Sequence, residues 1–175
     1  NLVVAATTAE ENGLSIGTRT LIEESLPALG LQPTYAILGE PTGMGLYYGH
    51  DGWVEMDVCI EGIDPFHVDD ATEAILQDYT HRSSSEPADF SFTPPRFENR
   101  NGVRCATIPV SRRVQSAEDE QSVLTQTKRE VSAMTRGTGT VAVAVAVRQE
   151  WQKLYNGQTA VVRHVTHGWN TDPFH

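Results

Sequence analysis

TTAEENG, residues 7 to 13, sets two carboxylates, Glu10 and Glu11, side by side after the apolar run LVVAA. A third, Glu40, stands before Pro41 and follows a second apolar run, YAIL at 35 to 38. Carboxylates so grouped can serve as general bases or hold divalent cations, and the elements that carry them decide which. Leu14, Thr18, Leu21, Ile22 and Leu29 recur between the runs at helical spacing, and Pro27 and Gly30 close that helix. Strand, helix, strand predicts a βαβ unit with buried parallel strands and a right-handed crossover. Parallel strands end on one rim of their sheet, where open α/β sheets place ligands. With neighbouring strands ~4.8 Å apart, Glu10, Glu11 and Glu40 would share that rim, and two metal ions could sit there. The plainer alternative is a solvated acidic turn.

The chain has 175 residues, room for one ordinary domain or two small ones. Its hydrophobic content of 39% and charged content of 21% are those of a globular protein. A formal charge of -10 repels phosphate backbones and argues against nucleic-acid binding. No apolar run approaches the ~20 residues of a membrane helix, and no signal-peptide pattern opens the chain. Cys59 and Cys105 are too few for a disulfide framework and read as buried free thiols, which suits a cytoplasmic setting. The first residues already read as a strand, so the chain is expected to be a segment of something longer.

After Gly45 the pattern changes. Residues 46 to 62 alternate like a long half-exposed strand. Ala71, Ala74, Ile75 and Tyr79 predict a short helix with Asp69 and Asp70 at its positive end. Residues 83 to 102 read as a polar, proline-containing connection, and 104 to 109 as a strand. Ser116 with Asp119 suggests a capping box ahead of a helix lined by Val123, Leu124, Thr127, Val131 and Met134. TVAVAVAV, 140 to 147, is a period-two strand with valines on one face and alanines on the other. On an edge so uncharged a strand would invite pairing with another chain. It is therefore expected in the centre of a small sheet, with a subunit interface as the alternative. The order predicts a ferredoxin-like α+β layer. The expected division is 1–47, a partial catalytic α/β domain; 48–150, the ferredoxin-like domain; and 151–175, a segment returning toward the first.

TTAEENGLSIGTRTLIEE (7 to 24), AILGEPTG (36 to 43) and GHDGWVEMDVCIEG (49 to 62) together resemble the di-zinc metallohydrolases. That family includes acetylornithine deacetylase, succinyl-diaminopimelate desuccinylase, aminoacylase and the glutamate carboxypeptidases. Looser similarity continues through TIPVSRRV (107 to 114) and the NGQTAVVRHVTHGWNTDP tail. The resemblance implies a zinc-peptidase-like α/β layer interrupted by a ferredoxin-like lid used for dimerisation. It implies two zinc ions, with cobalt or manganese as substitutes, and hydrolysis of small N-acyl amino acids or dipeptide-like amides. Glu10 matches the general base, and Glu11 and Glu40 match metal ligands. His67 matches a lid histidine that reaches a neighbouring active site and stabilises the tetrahedral oxyanion. Arg113 matches an arginine that binds a substrate carboxylate. The expected partners are thus a small amide substrate and a second copy of the chain.

The sequence also departs from the family. It contains no counterpart of the upstream His-x-Asp, of the bridging Asp or of the last histidine ligand. Asp51 stands where the family usually has Arg, and Ala106 where an asparagine usually precedes Ile-Pro. The stretch around His67 is shortened. His50 reads as structural, and His164, His167 and His175 have no family counterpart. The implied activity is that of a unit to which this chain contributes a part; the alternative is a non-catalytic dimerisation or interaction module derived from the family.

Overall fold

Strand β2 (Gly52–Gly62) organises the larger of two units in the computed structural model. The structure describes residues 2–8, 15–39, 43–45, 49–114, 118–153, 159–166 and 169–170. They divide into Tyr48–Gln149 with Arg163–His175, and Asn1–Tyr47 with Glu150–Val162. Chemistry alternates along β2 because successive side chains point to opposite faces. Val54, Met56, Val58 and Ile60 are fully buried, while Trp53, Glu55, Asp57 and Cys59 lie half-buried on the other face.

β5 (Val103–Val114) runs antiparallel to β2 over its whole length, from Gly52 opposite Val114 to Gly62 opposite Arg104. β3 (Phe90–Phe92) and β4 (Arg96–Arg100) pair with the far side of β5, and β6 (Ala142–Val147) with the far side of β2. Helices α3 (Pro65–Ser85) and α4 (Glu120–Met134) supply the other half of the core. Val68, Ala71, Ile75 and Tyr79 meet Val123 and Val131 over the buried face of β2 and β5. Arg82 of α3 ties the helices together through Glu130 at 3.1 Å. This is a mixed α/β arrangement on an antiparallel sheet.

Several sequence expectations need correction here. The helix expected around 71–79 starts earlier and runs 21 residues, because Asp64 accepts the Phe66 N–H at 2.9 Å and Pro65 occupies the first turn. Asp69 and Asp70 therefore lie within the helix, and Asp69 pairs with Arg104 at 3.1 Å. The polar stretch 83–102 contains β3 and β4 rather than a plain connection. Every residue of β4 is exposed, so no alternation marks it in the sequence. The α4 cap is Asp119 with Ser122 in reciprocal hydrogen bonds, which hold the Asp119 carboxyl below its usual range; Ser116 lies outside the described residues. Cys59 is half-buried rather than buried. β6 keeps its predicted faces but lies at the end of the strand order, not in the centre, and pairs with β2 alone among the described residues.

In the smaller unit, α1 (Ile16–Thr20) continues through a π-helical turn (Leu21–Ser25) into α2 (Leu26–Ala28), and Gly30 ends it with a positive φ of 68°. The runs expected as buried parallel strands form none among the described residues. Leu2 is 89% exposed and Ile37 97%. An apolar run forms a strand only where a ladder partner takes up its backbone hydrogen bonds. β7 (Gln149–Lys153) pairs with β8 (Thr159–Arg163). In the larger unit, β9 (Val165–Thr166) joins β2 at Trp53 and Val54, and β10 (Trp169–Asn170) pairs with β1 (Gly49–His50).

Candidate functional site

His67 lies in the first turn of α3, just past the end of β2. The Asp64-Pro65 start puts it on a helix. Its Nδ1 accepts the Thr140 N–H at 3.3 Å, and its Nε2 lies 3.7 Å from Asp64 Oδ2. The side chain is 40% exposed. The turn leading into β6 presses on the ring at Gly139, where the backbone φ is 112°. Asp64, Gly139 and Thr140 were not singled out from the sequence. The clustered glycines in TRGTGT are the signal that could have marked this turn.

Arg113 lies at the other end of the sheet, opposite Trp53. Its guanidinium bonds Asp89 at 2.9 Å and also pairs with Asp51. Asp89, then Asp51, raise its pKa further. Asp51, noted as a departure from the family, is thus a partner of Arg113. Nine residues of β2 separate the Arg113 end from Gly62. At ~3.3 Å per residue that is about 30 Å, so one chain does not bring His67 and Arg113 onto one small molecule.

Glu10, Glu11 and Glu40 lie outside the described residues. The segment entering the acid pair is fixed nearby: the Gly17 N–H donates to the Thr8 carbonyl at 3.1 Å. A Cβ on Gly17 would come within 2.6 Å of the Thr8 nitrogen, so only glycine lets Thr8 lie against the start of α1. Among the described residues no cluster of three or more His, Cys, Asp or Glu is arranged to hold a metal. His164 instead pairs through Nδ1 with Glu55 at 3.3 Å, beside Arg148 on the same carboxylate. Both thiols are free, and burial is the main cause raising each pKa above its ordinary value. Protonated thiols are weak nucleophiles, so neither is primed for covalent catalysis. Among the described residues no helix is long and apolar enough to cross a membrane.

No protein-family model matches the chain. No curated protein matches it either. Among solved structures it is similar to the de novo designed protein Foldit4, at 12% identity and a TM-score of 0.33, over 55% of this chain and 98% of that one.

Proposed function

We propose that this chain is part of a metal-dependent hydrolase of the di-zinc amidohydrolase and peptidase family, acting on small N-acyl amino acids or dipeptide-like amides. The observation that carries the reading is His67: a histidine whose Nδ1 accepts a backbone N–H and whose side chain is 40% exposed, set just past the first strand of the run β2-α3-β3-β4-β5-α4-β6. The strand order β3/β4–β5–β2–β6, antiparallel throughout, supports a ferredoxin-like lid. The three sequence blocks support the family.

In this reading Glu11 and Glu40 each supply a hard oxygen ligand, which fits zinc and equally cobalt or manganese. They make only part of a coordination shell. When bound, zinc supplies a Lewis acid and lowers the pKa of water toward 7. Glu10 takes a proton from the attacking water. His67 donates a hydrogen bond to the oxyanion that forms at the amide carbonyl. Arg113 receives a substrate carboxylate, which exchanges with Asp51 or Asp89 on the guanidinium. The separation of His67 from Arg113 supports a homodimer, in which the two residues that meet one substrate come from different copies. A cytoplasmic setting accords with the two free thiols.

Metal content tests the reading. The intact gene product should bind zinc stoichiometrically, and Glu11→Ala or Glu40→Ala should each lower zinc occupancy without loss of fold. Zinc content unchanged in both variants would overturn the ligand assignment. The non-catalytic module is favoured by one observation, the uncharged edge of β6. A protein that dimerises and hydrolyses none of the N-acyl amino acids would be that module.

A further inference from the structure

We propose that Gly139 and Thr140 are positioning residues for His67: their turn locks the imidazole as the Nε2–H tautomer and leaves that N–H as the donor offered to an anionic oxygen. The catalytic consequence rests on the hydrolase reading above; the lock itself does not.

A backbone amide can only donate. The Thr140 N–H at 3.3 Å therefore requires a lone pair on Nδ1, and the neutral ring must carry its proton on Nε2. Asp64 favours the same tautomer. One of its oxygens caps α3 through the Phe66 N–H, and the other lies 3.7 Å from Nε2. A carboxylate so held attracts an N–H and repels a lone pair.

The close approach depends on two glycines. A methyl group on Gly139 would stand 2.6 Å from Nδ1 and closer still to Cγ and Cδ2. With φ at 112°, few side chains tolerate that backbone in any case. A methyl group on Gly62 would meet Val68 Cγ2 at 2.9 Å and the Thr140 carbonyl at 3.3 Å. The end of β2, the first turn of α3 and the turn into β6 thus converge on the ring. An Nε2–H aimed in advance suits an oxyanion, because the hydrogen bond strengthens as charge develops and nothing has to reorganise.

Nuclear magnetic resonance on the 15N-labelled full chain tests this at pH about 8, above the usual histidine range. Expected are a scalar coupling across the N–H···N bond between the Thr140 amide and His67 Nδ1, and an imidazole carrying its proton on Nε2. Gly139→Ala should abolish the coupling and let both tautomers appear, while Thr140→Ser, which keeps the amide, should preserve it. Absence of the coupling in the wild-type chain, or a proton on Nδ1, overturns the proposal even if Gly139→Ala does not fold. In the intact gene product, Gly139→Ala should lower kcat about tenfold or more with KM nearly unchanged. An unchanged kcat in Gly139→Ala, where His67→Ala is impaired, would refute the positioning role. If His67→Ala is itself unimpaired, the assignment of His67 as oxyanion donor fails, and the coupling alone decides the lock.

Discussion

Tyr79 is 1% exposed and packs edge-on against Phe90, with ring centroids 5.0 Å apart. Its hydroxyl makes no hydrogen bond to any described residue. Burying an unpaired hydroxyl costs about 1–3 kcal/mol, so Tyr79→Phe should leave stability unchanged or raise it by about 1 kcal/mol in urea denaturation. Burial, more than the nearby Glu130 carboxylate, pushes the phenol well above its ordinary value. The unfolded chain then loses the proton first as pH rises past 10, so stability present below that pH falls above it. The slope is about 1.4 kcal/mol per pH unit, and Tyr79→Phe should lack that component. A variant as alkali-sensitive as the wild type would contradict this. Arg112, 8% exposed, bonds Glu118 at 2.7 Å through Nη2, and Arg113 holds two carboxylates. The types of the candidate side chains were legible from the sequence. That Arg113 is already engaged was not, because Asp51 and Asp89 reach it only across the folded sheet.

At the scale of elements, β2, β5, β6 and α4 were legible because each buries one face, and burial writes its period into the sequence. β3 and β4 were not. They are short, flank Pro94 and Pro95, and β4 buries nothing. The start of α3 is written in Asp64-Pro65, a cap and a first-turn proline that lie outside the apolar period. The runs 2–6 and 35–38 have strand composition but pair with no strand among the described residues, and composition alone does not make a strand. The edge position of β6 makes a specific prediction. Its alanines are exposed and no charge protects it. Antiparallel pairing with β6 of a second copy would match valine with valine layers and alanine with alanine layers. Light scattering should find a dimer, and Ala144→Lys, which puts two like charges on the shared edge, should weaken it more than about tenfold. A wild-type chain that stays monomeric at high concentration would contradict the pairing.

For the whole molecule, one unit carries an antiparallel sheet with two helices, and in the other the Gly17 N–H holds the Thr8 carbonyl. The layer places His67 at one end and Arg113 at the other, and the zinc reading needs the acid pair to complete the chemistry. The proposed function depends most on Glu10 as the proton acceptor. The most direct test is hydrolysis of a panel of N-acyl amino acids by the zinc-loaded intact gene product, wild type against Glu10→Gln. Zinc-dependent hydrolysis by the wild type is expected, with kcat lower by at least about a hundredfold in the variant at unchanged zinc content. Equal activity in the two proteins, or hydrolysis that survives complete removal of the metal, would contradict it.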